Sequence, residues 1–101
     1  MSTATTDIQS VRDWPAGRTL VVSATYNERE NIAALIDRVL GVSPHLQLLI
    51  IDDDSPDGTG QIALDHAEGN PRLHVLVRRG RRGLGTAILE GFELGRRHGF
   101  D

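Results

Sequence analysis

An unbroken apolar run, Leu48-Leu49-Ile50-Ile51, stops at three adjacent carboxylates, Asp52-Asp53-Asp54, and then at the turn Ser55-Pro56-Asp57-Gly58. Successive side chains of a strand point to opposite faces, so a run without polar alternation fits a strand covered on both faces, as in a parallel sheet. The acids then stand at the carboxyl end of the strand, the edge where open α/β sheets bind ligands. Two carboxylates ~5 Å apart repel by roughly 3 kcal/mol at an effective dielectric near 20. Something electropositive or rich in N–H groups is therefore expected to face the cluster. A plainer reading makes the same residues a strand end and a helix cap, since Asp, Ser, Pro and Gly are ordinary turn formers.

The rest of the chain repeats this grammar. Arg18 to Ser23 reads as a short β-branched strand that feeds Ala24-Thr25-Tyr26-Asn27-Glu28. Asn27 and Glu30 have capping-box spacing, which predicts a helix from about Glu28. Ile32, Leu35, Ile36, Val39 and Leu40 then fall on one helical face, and Gly41 and Pro44 end it. His45 to Asp52 is the second strand. After the turn comes a second helix with Ile62, Ala63 and Ala67 inward, stopped by Gly69-Asn70-Pro71. Leu73 to Val77 is a third strand. It runs into Arg78-Arg79-Gly80-Arg81-Arg82-Gly83 and a third helix with Leu84, Ala87, Ile88, Gly91, Phe92 and Gly95 on one stripe. That helix closes with Arg96-Arg97-His98-Gly99, cations at the negative end of its dipole and a glycine beyond.

The order is β-α-β-α-β-α, and right-handed crossovers make it a three-layer α/β/α fold on a parallel sheet. A chain of 101 residues has room for one such domain or part of one. Met1 to Gly17, rich in Ser and Thr and without sustained periodicity, reads as a flexible leader in which Trp14 has no assigned role, and residues 18–101 as the domain. The absence of cysteine excludes disulfides, thiolate metal sites and a cysteine nucleophile, and fits a cytoplasmic protein. A net charge of -3 argues against a general nucleic-acid binder. No apolar run approaches the ~20 residues of a membrane span, and the start lacks a basic region followed by an apolar one.

All three strand ends lie along one edge in this topology. Carboxylates, an aromatic ring and guanidinium groups converging there suit a nucleotide, with acids for base or ribose donors and arginines for a diphosphate. A solvated basic loop, or a contact with acidic lipid headgroups, is the alternative for the four arginines at 78–82.

Three stretches, Ala24-Thr25-Tyr26-Asn27-Glu28-Arg29-Glu30-Asn31, Ile51-Asp52-Asp53-Asp54-Ser55-Pro56-Asp57-Gly58-Thr59 and Arg81-Arg82-Gly83-Leu84-Gly85-Thr86-Ala87, stand in the order and spacing of family 2 glycosyltransferases. Within these the chain most resembles the dolichol-phosphate or polyprenol-phosphate mannosyltransferases, from about Leu20 to Gly99. The resemblance implies the amino-terminal half of a GT-A fold, a Rossmann-like nucleotide-diphospho-sugar transferase. It also implies a donor pocket in which Ala24, Tyr26 and Glu28 line the nucleotide, Ile51 and Asp53 meet base and ribose, and Arg81 approaches the phosphates. Ala24 stands where the family usually has proline, and Arg81 where it has lysine.

The implied reaction moves mannose from GDP-mannose to a dolichyl or polyprenyl phosphate with inversion, at the cytoplasmic face of a membrane that the complete protein touches peripherally. Family members hold Mg²⁺ or Mn²⁺ on an Asp-x-Asp at the end of a fourth strand, and this chain has no Asp-x-Asp outside residues 52–54. The chain is therefore expected to be an amino-terminal fragment or truncated product with donor-binding residues, no metal-binding or catalytic ones, and no transfer activity alone. UDP-glucose as donor and a non-catalytic nucleotide-binding module are the alternatives.

Other motifs are weaker. Asp53-x-Ser55-x-Asp57-Gly58 copies half of a calcium loop but has Leu64 where a bidentate Glu is required. Asp52-x-Asp54 also suits an aspartate-dependent phosphohydrolase, for which Ser55-Pro56 is a poor continuation. Gly83-x-Gly85 lacks the third glycine of a dinucleotide fingerprint. The four histidines show no ligand spacing.

Overall fold

The central strand, Leu46–Asp52, is buried along nearly its whole length, and everything else in the domain is arranged to cover it. A computed structural model describes residues 8–9, 19–80 and 83–100. In chain order these form β1 (Ile8–Gln9), β2 (Thr19–Thr25), α1 (Ile32–Leu40), β3 (Leu46–Asp52), α2 (Thr59–Glu68), β4 (Leu73–Val77) and α3 (Leu84–Arg97). The sheet order is β1-β4-β3-β2. β2, β3 and β4 are parallel, as the sequence pattern predicts.

Strand alternation sorts the core into two layers. Leu48 and Ile50 of β3, with Leu73, Val75 and Val77 of β4, meet Ile32, Ile36 and Leu40 of α1 and Ala63 and Ala67 of α2. On the opposite face Leu49, Ile51 and Leu76 meet Ala87 of α3, with Leu20, Val22, Ala24 and Leu94 packed around them. Two helices thus cover one face and one covers the other, the three-layer arrangement expected.

Glycines set how closely α3 sits. A Cβ on Gly91 would lie 2.5 Å from Val22 Cγ1 and 2.8 Å from Ile51 Cδ1, and one on Gly95 would lie 2.6 Å from Leu20 Cδ2. Contacts that short do not occur, so the helix rests on the sheet only because these residues lack side chains. Phe92, expected on the same stripe, is instead 60% exposed, and Leu94 packs against the core in its place.

Two expectations need correction. Ile8 and Gln9, read as part of a flexible leader, pair antiparallel with Val77 and Leu76, so the sheet is mixed rather than wholly parallel. A two-residue strand has no periodicity to detect and is fixed by its partner. The second concerns α1, which starts at Ile32 and not near Glu28. Its N-cap is Asn31, without a side-chain cap hydrogen bond. Asn27 sits in the left-handed region at φ 56° and donates its N–H to Ser55 Oγ (2.9 Å), so long-range partners override the local capping signal. Trp14 lies outside the described residues.

Candidate functional site

The three parallel strands end in register. Thr25 pairs with Asp52, and Asp52 with Val77. The next residues extend the ladder by one step, with the Asp53 N–H donating to Thr25 O (3.2 Å) and the Arg78 N–H to Asp52 O (2.8 Å). Tyr26, Asp53 and Arg78 therefore leave the sheet side by side on one rim.

The same alternation separates the three aspartates. Asp52, fully buried, lies on the α2 side, where a Cβ on Gly60 would come within 2.9 Å of its Oδ2. Its Oδ1 accepts from the hydroxyls of Thr25 (2.8 Å) and Ser55 (2.7 Å), and its Oδ2 from the Ser55 N–H (2.9 Å). Asp53 turns to the α3 side and meets Arg78, whose guanidinium is buried. Arg78 Nε donates to Oδ1 at 2.7 Å and Nη2 to Oδ2 at 3.0 Å, a bidentate pair. The Gly83 N–H adds a third bond to Oδ2 at 3.0 Å. Asp54 adopts φ 51°, is largely exposed, and has Arg79 Nε 4.0 Å from its Oδ1.

Arg78 also ties down the start of α3, with Nη2 donating to Gly83 O and to Thr86 Oγ1, both at 3.2 Å, and Nη1 reaching Glu90 Oε1 at 3.4 Å. The Asp53 carboxylate is the main reason the Arg78 pKa rises above its ordinary value, while burial acts in the opposite direction. Residues 81 and 82 lie outside the described part of this loop, and Arg81, expected at the phosphates, lies there with them.

The loop after β2 is held by side chains. Three consecutive amides donate across to the loop after β3: Asn27 to Ser55 Oγ (2.9 Å), Glu28 to Thr59 Oγ1 (2.9 Å) and Arg29 to Asp57 Oδ2 (3.1 Å). Asp57 Oδ1 in turn accepts from the Thr59 N–H and hydroxyl. The Thr59 hydroxyl is the largest cause holding the Asp57 carboxyl below its usual 3.8.

Tyr26, 37% exposed, and Glu28, exposed, thus stand on the rim beside Asp53. Ala24 is half-buried against the α3-side core. The Ile51 side chain is wholly buried beneath Gly91 and belongs to the core, which leaves only its backbone for the part expected of it at base and ribose. The sequence reading missed Arg78, Ser55 and Thr59. The carboxylate cluster called for a nearby cation, but spacing alone does not choose between Arg78 and Arg79. His74, expected to be no ligand, is buried with Nε2 2.7 Å from Gln47 Oε1.

The glycosyl transferase family 2 model matches residues 20–96. The chain belongs to that family. It is 47% identical over 87 residues to polyprenol monophosphomannose synthase of Mycolicibacterium smegmatis, which covers 85% of this chain and 33% of the relative. Undecaprenyl-phosphate mannosyltransferase of Micrococcus luteus is 40% identical over 84 residues, 83% of this chain and 35% of the relative. Among solved structures, mannosyltransferase PcManGT from Pyrobaculum calidifontis, in complex with GDP-Man and Mn²⁺, superposes with a TM-score of 0.65 at 26% identity, covering 76% of this chain and 24% of that one. The fold is the amino-terminal half of the GT-A type, and the chain spans about a third of the length of the curated relatives it matches. Among the described residues no group of three His, Asp or Glu side chains is placed to hold a metal, and Asp52 and Asp53 are engaged by the protein's own donors. The described residues offer no ligand set for a cation such as the Mn²⁺ of that neighbour.

Proposed function

We propose that this chain is the donor-nucleotide half of a polyprenyl-phosphate mannosyltransferase that takes GDP-mannose. The observation that carries the reading is the shared rim: three strand tips in register bring Tyr26, Glu28 and Asp53 together, beside the arginine-glycine loop tethered through Gly83. In it Tyr26 offers a face for the base, the exposed Glu28 carboxylate accepts from base or ribose donors, and Asp53 adds at most the one Oδ1 lone pair that Arg78 and Gly83 leave over. Arg81 is assigned to the diphosphate, where a guanidinium makes two parallel bonds to phosphate oxygens. Ala24, half-buried in the α3-side core beside Ile51, supports the rim from one residue below the end of β2.

In the complete protein a phosphate oxygen of the polyprenyl acceptor attacks the anomeric carbon, and the C–O bond to the diphosphate breaks with inversion. The nucleophile is already anionic and needs little help from a base. The described residues contribute binding and orientation, the pre-organising part of such a reaction. Among the described residues no helix is long and apolar enough to cross a membrane. Contact with a lipid phosphate at the cytoplasmic membrane face is assigned to the complete protein.

Titration calorimetry of the purified chain with GDP-mannose, GDP and UDP-glucose tests the reading. GDP and GDP-mannose are expected to bind and UDP-glucose to bind more weakly. Binding of UDP-glucose alone would transfer the proposal to a glucosyl donor, and binding of none would end it. The chain alone is expected to release no mannosyl lipid.

A further inference from the structure

We propose that Ser55 and Thr59 are positioning residues for this rim, relaying the carboxylates of Asp52 and Asp57 onto the backbone of Asn27 and Glu28 so that Tyr26 and Glu28 are held toward the nucleotide. The nucleotide part rests on the donor-binding reading above.

A hydroxyl has one hydrogen. Ser55 Oγ gives its hydrogen to Asp52 Oδ1, so a lone pair is left aimed at the Asn27 N–H. Thr59 Oγ1 gives its hydrogen to Asp57 Oδ1 and presents a lone pair to the Glu28 N–H. In each relay the carboxylate fixes the direction of the hydroxyl and strengthens it as an acceptor. Glu28 is gripped on its other side too, because its carbonyl accepts from the N–H groups of Asn31 (2.9 Å) and Ile32 (2.8 Å). Both polar groups of its backbone are engaged while its side chain is exposed.

The ordering returns little apolar burial. Tyr26 to Asn31 are all exposed, so fixing them costs conformational entropy without a matching hydrophobic gain. Pre-organisation of a binding edge is the return that accounts for it, since a ligand that meets a fixed loop does not lose affinity in ordering it. The relays also use Asp52 and Asp57 without turning either toward the ligand.

The test compares Thr59→Val, which removes the hydroxyl at nearly constant volume, with Thr59→Ser, which keeps it. Two readouts are taken on each full chain: site-resolved amide hydrogen exchange at Glu28 against Ile50 in the core, and GDP affinity. Thr59→Val is expected to speed exchange at Glu28 while leaving Ile50 protected, and to weaken GDP binding about tenfold, with Thr59→Ser restoring both. Unchanged protection at Glu28, an equal loss at Ile50, failure of Thr59→Ser to restore, or full GDP affinity with an open Glu28 amide each overturns the proposal. If the unsubstituted chain binds no GDP, the donor reading falls, and the relay stands or falls on the exchange data alone. Should Thr59→Val not fold, Asp57→Asn is read by the same two measurements.

Discussion

Replacing Asp53 with Asn leaves a guanidinium stranded where water does not reach it. Arg78 is 1% exposed, and its Nε and Nη2 are satisfied by the two oxygens of Asp53. Asn keeps the shape and one acceptor, but it places N–H donors where Oδ2 now receives Arg78 Nη2 and the Gly83 N–H. Removing one partner of a buried pair typically costs 3–5 kcal/mol, chiefly because the other charge stays buried and unpaired. Glu90, 3.4 Å from Nη1 and one-third exposed, offsets part of that charge. The expected loss is therefore about 3 kcal/mol, out of a total near 5–15 kcal/mol for a domain of this size.

Urea unfolding followed by circular dichroism reads this as a lower midpoint at unchanged slope, and heating as a fall of at least about 12 °C. The paired variant Asp53→Leu with Arg78→Met, which removes both charges, is expected to recover most of the loss, because a buried pair exchanged for apolar groups is often neutral. A loss under about 1 kcal/mol for Asp53→Asn, or a double variant no better than the sum of its singles, would refute the reasoning.

Gly91→Ala drives a methyl into Val22 and Ile51, and is expected to cost about 1–3 kcal/mol by overpacking, less about 1 kcal/mol from better helix propensity, read by urea midpoint. Arg72→Met removes a guanidinium that donates to the carbonyls of Ser43 (2.7 Å), Leu46 (3.0 Å) and Leu40 (3.1 Å), tying the end of α1 to the start of β3. A loss of about 2 kcal/mol and faster amide exchange around residues 40–46 are expected. Asp57 has its pKa lowered in the fold, so its contribution to stability is fully present above 3.8 and is lost as pH falls through the lower folded value. The difference in urea midpoint between the chain and Asp57→Asn should accordingly stay constant near neutral pH and narrow in acid below 3.8.

How far the fold could be read from the residues depended on whether a signal was local. Leu73–Val77 appears in the structure with the limits its apolar run implies, and β3 differs from its expected span by one residue. Burial on both faces writes itself into consecutive side chains. The same holds for α1, whose stripe from Ile32 to Leu40 lies in the core, whereas its start was misplaced by four residues. A capping box competes with every other partner its residues can find, and Asn27 found Ser55, twenty-eight positions away. β1 and the exposure of Phe92 failed for a related reason. Neither is decided by its own neighbours in sequence.

The aspartate run shows the boundary most clearly. Coulombic repulsion required that adjacent carboxylates meet donors or cations, and they do, but a ligand or metal was not needed to supply them. Leaving a strand on opposite faces, Asp52 finds two hydroxyls and an amide, while Asp53 finds a guanidinium and an amide. Which arginine would close on Asp53 could not be read from spacing, because Arg78 and Arg79 differ by one position and therefore by one face. Only the register of β4 on β3 decides it, sending Arg78 inward to Asp53 and leaving Arg79 partly exposed beside Asp54. A one-residue slip of that register would exchange the two arginines and open the clamp on Gly83. The rim is consequently only as well defined as the pairing of two buried strands, which ties the geometry of the nucleotide edge to the packing of the core beneath it.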